Sequence, residues 1–357
     1  MNEMMNTPPL TAAQLRDFAR EGCLIVPGAV DDETLAALRG DFAARVEDLL
    51  RRARAVGKVG AQSGGSGNGG DDFSSAASRL ICAAPESYQH LDISLPLDGD
   101  LGARLPAWRE LFGDDWRAEA GVFAPASVFR LLTHPRLAAM AKQLLGAEDL
   151  VASPVQHIRI KPPQRRLPAH AATDSAYARA NWHQDEAVIH EGARGVDILT
   201  VWVAVTESTV ANGCLRCVPG SHLAADDASR PDFGLRTHCP GREFVGDIYI
   251  PDATIPESSR RNLEVNPGDA IVLHRRTVHG ADANESDGIR WSFDLRYQAA
   301  GTATGRECFP ALSLSGNDGA PGYRRRWLDA RDAILRGEVE AVFNTRWQKY
   351  QAAPLCT

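Results

Sequence analysis

Two patterns of apolar residues divide the chain near residue 150. In the first part, apolar residues recur every three or four positions, as in the stripe formed by Leu35, Leu38 and Phe42. This spacing predicts that residues 1–150 are mostly helical. The run CLIVPGAV (23–30) interrupts the pattern and predicts a short buried strand. A glycine- and serine-rich stretch from about 57 to 75 has too little apolar surface to order itself, which predicts a mobile loop.

Residues 151–300 contain short β-patterned runs separated by turn signals, without helices between them. This pattern is typical of an antiparallel sandwich or barrel. Residues 301–357 form an extension that returns to a helical pattern from 323 to 349. We therefore expect one catalytic domain over residues 1–357, mainly β with flanking helices. The predicted strands are VQHIRIK (155–161), ILTVWVAV (198–205), CLRCV (214–218), FVGDIYI (244–250), LEV (263–265), DAIVLH (269–274) and IRWSFDLRYQ (289–298).

Composition and charge exclude several classes of function. The 357 residues are 44% hydrophobic and 24% charged, as in ordinary globular proteins. The formal net charge of -7 argues against nucleic-acid or membrane-surface partners, which favour a basic face. The N-terminus MNEMMNTPPL does not resemble a secretory signal, so we expect a cytoplasmic protein with reduced thiols. Cys214 and Cys217 form a C-x-x-C inside an apolar run, which favours a structural role over metal binding.

A candidate metal site begins in the segment NWHQDEAVIH (181–190), where His183 and Asp185 stand two positions apart. Residues with this spacing share one side of an extended strand. His279 is the best third ligand, at the end of a predicted strand that opens with Pro267–Asp269 and runs to Gly280. Two histidines and one carboxylate leave three positions open on iron(II). A zinc hydrolase site would keep only one position open.

The run IRWSFDLRY begins ten residues after His279 and carries Arg290 and Ser292 on one face. A guanidinium fork with a neighbouring hydroxyl fits a carboxylate, since it offers a bidentate charge-assisted pair and one further hydrogen bond. The plainer alternative is that this polar face, which also carries Asp294 and Arg296, is simply solvated. The residues alone leave both interpretations open.

The order of these motifs resembles the phytanoyl-CoA dioxygenase family of iron(II)/2-oxoglutarate oxygenases over roughly residues 10–300. The resemblance is carried by WHQD, LTVWVAVTESTVANGCLRCVPGSH, and VHG followed by arginine eleven residues after its histidine. It implies a double-stranded β-helix, a jelly-roll barrel, wrapped by N- and C-terminal helices. It further implies that His183, Asp185 and His279 bind iron(II), and that Arg290 binds the distal carboxylate of 2-oxoglutarate.

The resemblance also assigns residues to the co-substrate pocket. His157 matches a residue that lines this pocket, and Trp202 matches a pocket tryptophan. One departure is Ala281, where the family often carries a polar residue two positions after the distal histidine. Ser292 and Thr277 are the candidates to replace that second contact.

By the same resemblance the reaction uses O2 and 2-oxoglutarate, releases succinate and CO2, and hydroxylates an unactivated C–H bond. The substrate would be a small molecule: a secondary metabolite, an amino acid or an acyl derivative. Asp185 favours hydroxylation because related halogenases lack this carboxylate. Two alternatives stay open, namely a barrel metalloprotein with other chemistry and a non-catalytic binding scaffold. The substrate's identity and the oligomeric state are left undetermined.

Overall fold

The computed structural model describes most of the chain. The described residues are 9–60, 73–93, 106, 109–115, 123–172, 177–187, 189, 191–193, 195–223, 239–240, 248–315 and 319–339. Residues 61–72 of the predicted loop, and residues 340–349 of the predicted C-terminal helix, lie outside them. The predicted loop ends earlier than expected, because a helix begins at Phe73.

Helices occupy the described part of the N-terminal region and the C-terminal extension. The first begins at a capping box formed by Thr11 and Gln14 and ends at Gly22, whose left-handed backbone (φ 70°) suits glycine. Among the described residues, no helix is both long and apolar enough to cross a membrane. The α-helices whose bounds lie within the described residues are α1 (Ala12–Glu21), α2 (Asp32–Ala55), α3 (Phe73–Ala83), α4 (Ala126–Leu132), α5 (Pro135–Leu145) and α6 (Gly319–Leu335).

Thirteen strands are formed by the described residues, and all their pairings are antiparallel. They are β1 (Cys23–Val26), β2 (Leu150–Ala152), β3 (His157–Lys161), β4 (Ala180–His183), β5 (Ile198–Ala204), β6 (Leu215–Cys217), β7 (Cys239–Pro240), β8 (Ile248–Tyr249), β9 (Arg261–Leu263), β10 (Ala270–His274), β11 (His279–Ala281), β12 (Arg290–Ala299) and β13 (Leu312–Ser313). The larger sheet has the order β1-β10-β5-β12-β2-β13, with β3 paired to β12. The smaller sheet has the order β4-β11-β6-β9, and β7 pairs with β8.

The two main sheets pack face to face. Trp202 and Ala204 of the larger sheet share a buried apolar cluster with Leu215 and Cys217 of the smaller one. This confirms the expected double-stranded β-helix with flanking helices. Among the described strands no ladder joins the two sheets, so they do not form a closed hydrogen-bonded barrel.

Strand β12 separates the apolar core from the interior between the sheets. Trp291, Phe293 and Leu295 belong to the core cluster that includes α2, and the ring centroids of Phe42 and Trp291 are 5.1 Å apart. Because side chains alternate along a strand, the intervening polar residues face the other way, into the interior. Arg290 is 1% exposed, so the solvated-face alternative for this strand is wrong.

The predicted strand that should run from Pro267 to Gly280 is also wrong as a continuous element. β10 ends at His274 in the larger sheet, and β11 begins at His279 in the smaller sheet. A turn over residues 275–278 carries the chain from one sheet to the other. His274 and His279 therefore lie on different sheets, and their facing does not follow from a count of residues along one strand.

Candidate metal centre

The pairing of β4 with β11 places two histidines beside each other. His183 and His279 are direct partners across this ladder, and their ring centroids are 4.3 Å apart. His183 is the last residue of β4, whereas Asp185 is the first residue of a short 3₁₀ turn (Asp185–Ala187). The expectation that one strand carries both ligands is therefore wrong. The turn, not strand alternation, brings the carboxylate next to the histidines.

The three side chains present their donor atoms to a common point. Asp185 Oδ1 lies 3.8 Å from His183 Nε2 and 3.9 Å from His279 Nε2. One ligand atom from each residue lies within 4.8 Å of the others. A divalent metal takes imidazole nitrogen and carboxylate oxygen at about 2.0–2.2 Å, so this spacing fits one ion between them.

Hydrogen bonds on the far side of each ring orient the two imidazoles. His183 Nδ1 donates to the carbonyl of Asn181 at 2.7 Å, and His279 Nδ1 donates to the carbonyl of Thr277 at 2.9 Å. A carbonyl oxygen only accepts, so each Nδ1 carries the ring hydrogen. Each Nε2 then keeps its lone pair for a metal, as is usual for ligating histidines.

The protonation states also suit metal binding. Burial, with the nearby His279, lowers the pKa of His183 to about 4, so its ring is neutral near pH 7. Burial would by itself raise the pKa of Asp185, but Arg296 and the two histidines outweigh it, and the net pKa is lowered. An ionised carboxylate and a neutral imidazole are the forms that bind metal.

A second feature of the interior is a buried cationic pocket on β12, formed by Arg290 and Ser292. Arg290 Nε and Nη1 and Ser292 Oγ are buried and have no hydrogen-bond partner among the described residues. The Arg290 guanidinium carbon lies 5.2 Å from the centroid of the Trp202 ring. Burial lowers the pKa of Arg290 to about 10, which still leaves it charged at neutral pH. A buried cation with unpartnered donors is costly unless an anion binds it, so the pocket fits the carboxylate of 2-oxoglutarate.

Two other predicted pocket residues lie in different surroundings. His157 stands opposite Asp294 in the β3–β12 ladder, on the same face as Arg290, and its Nδ1 is 3.1 Å from Asp92 Oδ2. The Thr277 hydroxyl donates to the carbonyl of Gly22 at 2.7 Å, at the end of α1. The structure therefore gives no support to Thr277 as a carboxylate contact, and Ser292 is the better candidate.

Two residues at the metal centre were not predicted from the sequence. Arg296 Nη2 lies 3.3 Å from Asp185 Oδ1, and the Thr200 hydroxyl donates to Asp185 Oδ2. Alternation along β12 puts Arg296 on the same face as Arg290, which is the one signal that could have identified it. The contact itself depends on where the turn after β4 places Asp185.

Two further sequence interpretations concern residues near the site. Trp182 points away from the metal centre into an apolar cluster, and its indole donates to Asp252 Oδ1 at 2.7 Å, as expected for a core residue. The Sγ atom of Cys217 lies 3.3 Å from the Sγ atom of Cys23 on β1. The thiol partner of Cys217 is therefore Cys23 and not Cys214. All three cysteines are free and buried, which agrees with a structural role for the C-x-x-C.

Solved structures with a similar fold include a non-heme monooxygenase, ThoJ, and a non-heme alpha ketoglutarate dependent carbocyclase, SnoK, from nogalamycin biosynthesis. Each is 19% identical to this chain. The ThoJ match has a TM-score of 0.49 and covers 91% of this chain and all of that one. The SnoK match has a TM-score of 0.46 and covers 88% of this chain and 91% of that one.

Similar sequences point to one family. A phytanoyl-CoA dioxygenase domain-containing protein 1 homolog from Caenorhabditis briggsae is 35% identical over 28% of this chain, and a dioxygenase, trt7, from Aspergillus terreus is 27% identical over 58%. The chain spans about a third of the first protein (34%) and just under two thirds of the second (63%). The family model described as phytanoyl-CoA dioxygenase (PhyH) matches residues 18–292, which is more than half of the chain. The chain belongs to the phytanoyl-CoA dioxygenase family.

Proposed function

We propose that the protein is an iron(II)/2-oxoglutarate-dependent dioxygenase that hydroxylates an unactivated C–H bond of a small molecule. The substrate class is a secondary metabolite, an amino acid or an acyl derivative, and the co-products are succinate and CO2. The observation that carries this proposal is the buried Arg290, whose unpartnered nitrogens face the interior that also holds the His–Asp–His donor set. Arg296, on the same face of β12 as Arg290, contacts Asp185, so the metal site and the anion site both face the interior between the sheets.

The donor set suits iron(II), 2-oxoglutarate and O2. His183, Asp185 and His279 would hold the iron and leave three positions for the co-substrates. When bound with 2-oxoglutarate and O2, the metal would supply the oxidising chemistry for the C–H bond. The protein supplies the orientation of the groups and the exclusion of water.

Arg290 and Ser292 bind and orient the co-substrate by its distal carboxylate. The guanidinium, whose Nε and Nη1 are unpartnered, offers charge-assisted hydrogen bonds, and the Ser292 hydroxyl offers one further hydrogen bond in place of the polar side chain absent at Ala281. The Trp202 ring, against the guanidinium, restricts the space available to it. The carboxylate is therefore held in a pocket closed to water, where a charge-assisted pair is strongest.

The substrate approaches from the side of His183. The His183 side chain is 23% exposed, whereas the Asp185 side chain is 3% exposed. His157, which lies on the same face of β3 as the interior residues, is also partly exposed. A C–H bond held at this opening would face the metal without displacing its protein ligands.

The alternatives fit the observations less well. A metal-dependent isomerase or hydrolase has no use for a buried carboxylate-binding arginine beside its metal. A non-catalytic scaffold has no reason to keep all three donors, each with an oriented lone pair or a charge. Cys23, Cys214 and Cys217 are buried and form no disulfide, which supports the cytoplasmic location that we include in the proposal.

The test is a screen for succinate formation with iron(II), ascorbate and 2-oxoglutarate against a panel of candidate metabolites. A substrate should stimulate succinate release and gain one oxygen atom, as seen by mass spectrometry. Arg290→Met should abolish both signals at limiting 2-oxoglutarate. Arg331→Met, which removes a buried arginine on α6, is the matched control and should retain them. A stimulated turnover whose product lacks the added oxygen would contradict hydroxylation.

A further inference from the structure

The two oxygens of the Asp185 carboxylate have different partners. Oδ1 faces the two histidine Nε2 atoms, at 3.8 Å and 3.9 Å. Oδ2 accepts the hydrogen bond from the Thr200 hydroxyl. Because Oδ2 accepts this hydrogen bond, the geometry leaves Oδ1 as the oxygen that would bind a metal.

Arg296 approaches the same carboxylate from the neighbouring strand. Its Nη2 lies 3.3 Å from Asp185 Oδ1 and 3.3 Å from Asp294 Oδ2. The backbone N–H of Arg296 donates to Gln156 Oε1 at 2.9 Å, and its side chain is buried. Arg296 is therefore held both at its backbone and at its guanidinium.

Thr200 and Arg296 are direct partners in the β5–β12 ladder. The adjacent strands β5 and β12 of the larger sheet thus each direct one hydrogen-bond donor at the Asp185 carboxylate. Asp185 itself follows β4 of the smaller sheet. This contact spans the interior between the two sheets and fixes the 3₁₀ turn that carries Asp185. A carboxylate held by one donor on each side cannot rotate without breaking one of the two contacts.

We propose that Arg296 and Thr200 are positioning residues that hold Asp185 as a one-oxygen metal ligand. The inference rests on the proposed function only in that a divalent metal occupies the triad. A freely rotating carboxylate could bind through both oxygens and fill a position that the co-substrates need. Groups that orient a metal ligand typically contribute about 10- to 100-fold to metal affinity or activity.

The proposal separates two arginines on the same face of β12. Arg290 makes no hydrogen bond through Nε or Nη1 to the described residues and acts on the co-substrate, whereas Arg296, whose Nη1 is also unpartnered, contacts a metal ligand through Nη2. Substitution of Arg296 should therefore weaken metal binding and leave the 2-oxoglutarate affinity of metal-saturated protein unchanged. Substitution of Arg290 should do the reverse.

Cobalt(II) titration of the full chain, followed by the visible d–d bands, tests this without any turnover. Arg296→Met should weaken cobalt affinity about 10- to 100-fold and alter the bands, because the freed carboxylate changes the coordination. Thr200→Val, which replaces one hydroxyl by a methyl group, should weaken binding in the same direction. Arg296→Lys should recover part of the loss, since it keeps the charge but not the planar fork. The control Arg331→Met should match the wild type.

The failures of this inference and of the proposed function are distinguishable. Wild-type protein that binds no cobalt would overturn the metal centre, and with it both proposals. Wild-type binding that both Arg296→Met and Thr200→Val retain in full would overturn only the positioning roles. Tighter binding by Arg296→Met would also overturn them, because the arginine would then merely repel the metal. If Arg296→Met fails to fold, Thr200→Val and Arg296→Lys decide the question.

Discussion

Replacing Arg290 with methionine should remove most 2-oxoglutarate affinity and leave metal binding intact. Methionine keeps much of the length and apolar volume of the side chain, so packing against Trp202 is largely preserved. The substitution removes a buried cation, which is 1% exposed and has two nitrogens without a hydrogen-bond partner among the described residues. The substitution therefore tests the anion-binding role of this residue rather than its contribution to the fold.

The size of the effect follows from the burial of the pair. Truncating one partner of a buried, hydrogen-bonded charge pair costs roughly 2–5 kcal/mol. At about 1.4 kcal/mol for each tenfold change, this corresponds to a loss of about 30-fold to several thousand-fold in affinity. Arg290→Lys should fall between the wild type and Arg290→Met, since an ammonium keeps the charge but lacks the planar array of guanidinium donors.

Calorimetric titration of 2-oxoglutarate into anaerobic, iron(II)-loaded protein measures the loss directly. Arg331→Met, with another buried arginine removed from α6, controls for a general effect on stability. An Arg290→Met protein that binds iron(II) normally and 2-oxoglutarate as tightly as the control would refute the assignment of the carboxylate pocket.

Three further predictions concern the fold. Gly280→Ala should destabilise the protein by about 1–3 kcal/mol and weaken metal binding, because the added Cβ would lie 2.8 Å from the Ala180 carbonyl oxygen and push β4 away from β11. An unchanged thermal unfolding temperature would contradict this prediction. Gly40→Ala, in an exposed position of α2 with no atom within 4 Å of the added Cβ, should stabilise by about 0.5–1 kcal/mol in the same assay. Burial, with His222 and Arg275 nearby, lowers the pKa of His274 to about 4, so the unfolded chain binds its proton first on acidification. The free energy of unfolding should therefore fall between about pH 6.5 and pH 4, by at most roughly 1.4 kcal/mol per pH unit from this group. In urea unfolding measurements, the free energy of unfolding of His274→Asn should fall less steeply with decreasing pH over this range than that of the wild type. An equally steep fall would show that His274 is not the source of the pH dependence.

The longer strands could be predicted from the sequence because their signal is local. ILTVWVAV and IRWSFDLRYQ correspond to β5 and β12, each of which combines β-branched or aromatic residues over seven or more positions. β4 and β11 have only four and three residues, ANWH and HGA, with no apolar periodicity. Their strand character arises from pairing with each other and with β6, which no local pattern reports.

The metal ligands illustrate the same limit. Spacing alone suggested that His183 and Asp185 share a strand, whereas a turn brings them together. His279 comes close to His183 and Asp185 only because the chain crosses between the sheets at residues 275–278. The family resemblance identified His279 more securely than its spacing did. The contact of Arg296 with Asp185 joins residues 111 positions apart and requires the three-dimensional arrangement of both sheets.

The metal centre is tested most directly by the visible charge-transfer absorption that iron(II) and 2-oxoglutarate give when bound together under anaerobic conditions. The wild-type protein should show this band, and His183→Ala and His279→Ala should each abolish it, because each removes one of the two nitrogens aimed at Asp185 Oδ1. A band that survives both substitutions would contradict the assignment of the metal site.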